Sequence, residues 1–156
     1  MKEVKLSSIR IYELAAVVDS VPLKEYATIK DIRLASNVVK DLKSACKEFS
    51  DEADKLSIKK NEVIKKYQED FQKNGVKLEG EEKDKFVKDL DTRLNAELEE
   101  KFGKEQEVLD ASGMEIKTFE LGDEKYEFLK AQFEKYAKER YLKKDVLLEV
   151  AEALGI

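Results

Sequence analysis

Residues 28–75 read TIKDIRLASNVVKDLKSACKEFSDEADKLSIKKNEVIKKYQEDFQKNG, and this stretch decides the fold. Within it Ile32, Ala35, Val39, Leu42, Cys46, Phe49, Ala53, Leu56, Lys60, Val63 and Tyr67 recur at alternating steps of three and four. That spacing is a heptad seam, and Lys60 is its polar interruption. The stripe then steps to Phe71. Neither Gly nor Pro interrupts residues 28–73, so the spacing predicts one continuous helix, with Asn74-Gly75 as a left-handed stop.

Downstream, Gly80 precedes a second helix over about 81–108. Glu81, Glu82 and Asp84 load its first turn, where the helix dipole favours negative charge. Phe86, Val87, Leu90, Leu94, Leu98 and Phe102 form its apolar face. Their steps of four drift around the axis, so the face wraps around its partner, and Gly103 is a point at which the helix could bend or end. The two helices are expected to pair as an antiparallel hairpin.

The flanks are shorter elements. Val4 and Leu6 alternate with Lys5, which predicts a strand at 2–6. Ser7-Ser8 supplies an N-cap for a helix over 9–19 carrying Ile9, Ile11, Tyr12, Leu14, Ala16 and Val18. Asp19-Ser20-Val21-Pro22 ends it, and Pro22 suits the first turn of a new segment. Ser112-Gly113 marks another break. Residues 115–120 alternate as a strand, the natural partner of 2–6. A helix over 123–141 turns Tyr126, Leu129, Phe133, Tyr136 and Tyr141 inward. A last helix over 145–154 carries Leu147, Val150, Ala151 and Leu154, with Gly155 at its end.

Composition agrees with long amphipathic helices. Of the 156 residues 42% are apolar and 42% charged, against roughly 25% charged in an average globular protein. Glycine is scarce and Pro22 is the single proline, which disfavours a sandwich or barrel with its many turns. The fold class expected is therefore mainly α, a long helical hairpin on a small helical base with a minor two-stranded sheet. A helix over 28–73 would span roughly 70 Å, whereas a compact domain of this size has a radius of gyration near roughly 15 Å. The hairpin is thus expected to project as an arm of about residues 51–111 from a base of 1–50 and 112–156. A break near Ser50-Asp51 or Ser57, giving a squat bundle, is the alternative.

Charge and chemistry narrow the function. The net charge is −5, and residues 51–110 carry all of it, with 18 acids and 13 bases. No basic stripe exists to neutralise phosphates, so direct nucleic-acid binding is not expected. Cys46 is the only cysteine, no apolar run approaches the roughly 20 residues of a spanning helix, and residues 1–6 lead into no apolar signal segment. A reduced, cytoplasmic protein without membrane contact is expected. There is no histidine, which removes the commonest general base and zinc ligand. No phosphate-binding glycine loop and no nucleophile elbow is present. Asp110, Glu115 and Lys117 have the D-x4-E-x-K form of metal-dependent nucleases, against exposed charges flanking Ile116 as the plainer account. Asp89 and Asp91 lie two apart on a helix and face different ways. Cys46, inside the seam, reads as packing. Neither catalytic residue, cofactor nor metal is expected.

The order of elements resembles that of small accessory proteins of undescribed function from tailed bacteriophages and prophages. The likeness is carried by Lys2–Leu6, Phe71-Gln72-Lys73-Asn74-Gly75, the Leu94–Phe102 stretch and Glu115–Leu121. It implies a phage-encoded accessory protein, for which the cytoplasm is that of the bacterial host, and it brings no catalytic residues. The candidate interface is the acidic set Glu97, Glu99, Glu100, Glu105 and Glu107, with Tyr136 and Tyr141 as aromatic anchors if they reach the surface. Two roles compete: an assembly component that self-associates through the seam, or an inhibitor whose acidic arm occupies a basic groove of a host protein.

Overall fold

The computed structural model describes residues 1–140 and 142–156. It is mainly helical, with a strand at each side of the two longest helices in the chain order. The elements are β1 (Lys2–Ser7), α1 (Ser8–Asp19), α2 (Ile29–Ala45), α3 (Lys47–Asp70), α4 (Gly80–Gly113), β2 (Ile116–Leu121), α5 (Asp123–Tyr136) and α6 (Lys144–Ala153). Short 3-10 turns occupy Leu23–Glu25 and Ala137–Arg140. The chain divides into two compact units, Met1–Ser50 with Asp110–Ile156, and Asp51–Leu109.

In the first unit β1 and β2 pair antiparallel, with Val4 opposite Phe119 and Ser7 opposite Ile116. Val4, Leu6 and Leu121 face a core completed by Ile11, Leu14 and Val18 of α1, Val38 and Leu42 of α2, Leu129 and Phe133 of α5, Val150 of α6 and Leu154 just after it. The other face of the sheet is wet, and there Glu3 stands directly opposite Glu120. Like charges at facing positions of a ladder repel. Glu120→Lys is expected to stabilise the unit by about 0.2–1 kcal/mol, read from the shift of the urea midpoint at low salt; a lowered midpoint contradicts the register.

Several expectations are corrected. The helix over 28–73 is not continuous: Cys46 takes φ −123° and ψ 40°, and separates α2 from α3. Thr28 starts α2 by accepting the Asp31 amide hydrogen at 3.2 Å, an N-cap bond. At the break the Cys46 thiol donates to the Leu42 carbonyl at 3.4 Å. A side chain that bonds back four residues competes with the helix ladder and bends it. Ser50 N–H donates to the Cys46 carbonyl at 2.8 Å and begins the next ladder. The spacing of the seam survives the break, because Leu42, Cys46 and Phe49 are all buried.

The other differences lie at ends. Ser7 is the residue before α1 but makes no side-chain cap; the Ser8 hydroxyl instead donates to the Glu115 carbonyl at 3.3 Å. Asn74-Gly75 is not a left-handed stop. Phe71–Gly75 form a π turn in which Val76 N–H donates to the Phe71 carbonyl at 3.0 Å. Glycine is needed there for closeness, since a Cβ on Gly75 would lie 2.6 Å from Phe71 Cδ2 and 2.7 Å from Phe86 Cε1. The second long helix runs through Gly103 to Gly113. α5 ends as α-helix at Tyr136, and Tyr141 lies outside the described residues.

Candidate interaction surface on the helical hairpin

The second unit is a helical hairpin. Leu56 and Val63 of α3 and Leu90 of α4 are buried, as is Gly75 at the turn, and cross-helix contacts fix the register. Lys59 pairs with Glu105 at 3.5 Å and Lys66 with Glu97 at 3.6 Å. The Tyr67 hydroxyl donates to the Arg93 carbonyl at 3.4 Å, and Arg93 pairs with Asp70 at 3.7 Å. Lys60, the polar interruption in the seam, donates through Nζ to Gln106 Oε1. A lysine is thus accommodated in the seam because its ammonium reaches an acceptor on the facing helix while its stem packs below.

Two packed helices cover each other along one line only. On one flank of that line the hairpin opens into a groove of about 800 Å³. Tyr67 and Leu90 form its floor; Ile64 and Phe71 of the α3 side and Val87 and Leu94 of α4 line its walls. All but Leu90 are partly exposed. Lys83 lies 5.9 Å from the centre of the Phe71 ring, a cation–π contact at the hairpin's turn. Lys65, Glu69 and Lys73 edge the α3 wall, and Asp91 edges the α4 wall.

The residues proposed from sequence separate into three groups. Glu97 and Glu105 are already engaged: Glu97 Oε1 holds both Lys66 and Lys101, and its Oε2 is shielded from solvent without a donor. Glu99, Glu100 and Glu107 are exposed. Tyr136 is a correction, because it is buried with Val17 and Val21 and cannot serve as a surface anchor. The end of α5 turns its ring inward, where Lys135 covers it at 5.2 Å.

The charged motifs elsewhere in the chain are paired or dispersed. Glu115 and Lys117 form an ion pair of 2.9 Å; the bond to Glu115 raises the Lys117 pKa. Asp110 belongs to α4. Among the described residues no three carboxylate, thiol or imidazole groups converge as a metal site. Asp89 pairs with Arg93 at 3.2 Å while Asp91 faces the groove. Cys46 is buried. A separate cluster joins α1 to α6: Arg10 bonds Glu149 at 2.9 Å and Glu13 at 3.3 Å. Burial pushes the Glu13 carboxyl above its ordinary pKa, and Arg10 offsets this only in part.

No protein-family model, curated protein or solved structure matches the chain. Among the described residues no helix is long and apolar enough to cross a membrane. The groove has a partial signal in the sequence. Ile64 and Phe71, and likewise Val87 and Leu94, are seven apart, which makes a second stripe beside the seam. The acidic residues of α4 draw attention away from it.

Proposed function

We propose that this chain is a non-enzymatic protein–protein interaction or assembly protein that works through the open groove of its helical hairpin. The observation that carries this is the half-exposed set Ile64, Phe71, Val87 and Leu94 around the Tyr67–Leu90 floor. Apolar side chains gathered in one long concavity favour a covered state, because burial of such area stabilises by about 25 cal/mol per Å². On the resemblance to phage accessory proteins, the chain is phage-encoded and works in the cytoplasm of the host. An inhibitor presenting an acidic surface draws less support, since Glu97 and Glu105 are matched by lysines of α3.

The test is affinity capture by the full chain, using as bait the wild type, a variant carrying Ile64→Glu with Leu94→Glu, and Val108→Glu as a control at an exposed site outside the groove. A differently tagged copy of the chain is included as prey beside host proteins. The groove variant is expected to keep its melting temperature and to lose its partner by about tenfold or more, while the control retains it. Equal capture by all three baits refutes the groove as the working surface.

A further inference from the structure

We propose that the outer edge of β2 is a second binding surface, and that its occupant is an extended strand of a partner protein, added antiparallel, with a basic side chain opposite Glu120 and an apolar one opposite Ile116. β2 belongs to the first unit and the groove to the second, so the two surfaces are tested separately.

A sheet of two strands has two outer edges, and here they differ. Val150 and Leu154 join the core on the inner face of β1, while Glu149 and Ala153 share a cleft with Lys5 and Ser7 of its wet face. A helix that reaches both faces of a strand stands at its edge, so α6 covers β1. On β2 the wet-face residues Ile116, Thr118 and Glu120 are exposed. On its inner face Phe119 stays partly exposed although Val4, directly opposite, is fully buried. Lys117 and Leu6 show the same contrast. The open side of the sheet is the side of β2.

The ladder decides which backbone groups face outward. Ser8 N–H donates to the Glu115 carbonyl at 2.9 Å, one step beyond the Ser7–Ile116 pair. Directly opposite residues alternate between bonded and non-bonded pairs. Leu6–Lys117 and Val4–Phe119 are therefore bonded, whereas Ile116, Thr118 and Glu120 turn their N–H and C=O groups away from β1. Among the described residues these groups have no backbone partner. Donors and acceptors at every second residue, roughly 7 Å apart, are matched by an extended main chain. Antiparallel pairing is the slightly more stable of the two ladders.

Side chains specify what the main chain does not. Glu3 faces Glu120, and among the described residues neither has an ion-pair partner, although Lys5 shares their face. A strand beside β2 sets one residue opposite Glu120 on its other side, and a lysine or arginine there relieves the repulsion. At the far end Ile116 is 55% exposed and is covered by an apolar neighbour. On the inner face the added strand covers Phe119.

The experiment titrates the full chain, labelled for amide NMR, with the capped peptide Thr-Lys-Val-Thr-Thr-Val-Thr at low salt. Added antiparallel, it lays its lysine opposite Glu120, its first valine beside Phe119, its middle threonine opposite Thr118 and its second valine opposite Ile116. Saturable shifts of the Ile116, Thr118 and Glu120 amides are expected, with a Kd of about 1 mM or tighter. N-methylation of the middle threonine, which removes a donor to β2, is expected to weaken binding about tenfold or more. N-methylation of the first valine, whose N–H faces away from β2, is expected to change it by less than about twofold. Glutamate in place of the peptide's lysine is expected to weaken binding about fivefold, and Glu120→Lys in the chain to reverse that preference. No saturable shift of those amides at about 5 mM peptide overturns the proposal, as does equal loss from the two methylations. Shifts of the same amides when the chain is concentrated without peptide assign the edge to a second copy and overturn the partner strand.

Discussion

Leu42→Asp is expected to abolish the cooperative unfolding transition of the first unit. Leu42 is fully buried among Val38, Ile11 and Leu129 in the core to which α1, α2 and α5 all contribute. An aspartate there either carries an unpaired charge into an apolar interior or takes up a proton to avoid doing so, and it also loses the packing of the isobutyl group. The combined cost is about 4 kcal/mol or more, a large part of the roughly 5–15 kcal/mol that holds a domain folded. The measurement is near-ultraviolet circular dichroism on heating, with Leu42→Ala alongside. The alanine variant should melt early but cooperatively, at a cost of about 2–5 kcal/mol. An aspartate variant that melts with the wild type contradicts the placement of Leu42.

Phe49→Ala has the second largest expected effect, a loss of about 3–5 kcal/mol. Phe49 is 5% exposed and lies just after the break at Cys46. Its ring meets Tyr12 edge-on, with centroids 5.7 Å apart and planes at 85°, a geometry worth about 0.5–1.5 kcal/mol beyond burial. The ring also lies over Gly113, where an added Cβ would come within 2.8 Å of Phe49 Cε2 and 3.1 Å of Ile9 Cβ. Removing the ring therefore empties a space bounded by α1, the start of α3 and the end of α4. Equilibrium urea unfolding monitored by tyrosine fluorescence reports the loss, and Phe49→Leu should restore about half of it by refilling volume. An unchanged midpoint for the alanine variant would show that the ring is dispensable.

These two positions also mark where sequence periodicity succeeds and where it stops. Spacing alone puts Leu42, Cys46 and Phe49 in one buried seam, and each is buried. The same spacing implies an unbroken helix, and there it misleads, because burial depends on which side chains share a face whereas continuity depends on the backbone at single residues. Cys46 carries no mark of a breaker. Its thiol competes for the Leu42 carbonyl in the folded chain, a choice made by neighbours that periodicity does not contain.

The turn and the caps obey the same logic. Asn74-Gly75 reads as a turn in the sequence, but its glycine answers to the rings of Phe71 and Phe86 rather than to a left-handed backbone. Thr28 and Ser7 look alike as caps, yet only Thr28 bonds forward. Ser8 is drawn instead to the Glu115 carbonyl more than a hundred residues away in the chain.

For the candidate site the contrast is sharper. The acids of α4 are visible as composition, but composition does not say which are matched. Glu97 and Glu105 find lysines of α3 only once the hairpin register is set. Tyr136 reads as inward on its helix, with a surface anchor as the other possibility, and the end of α5 places it against Val17 and Val21.

By itself the sequence determined that the chain is mainly helical, which faces of its helices are apolar, and that the strand at its start pairs with the one after its second long helix. Those features arise from spacing of 3.6 or 2 residues, a property of neighbours along the chain. The tertiary structure alone decided the break at Cys46, the pairing of charges across the hairpin and the groove between Ile64, Phe71, Val87 and Leu94. The last two depend on the distance between residues remote in sequence, which only folding brings about, and the first on the backbone angles of a single residue.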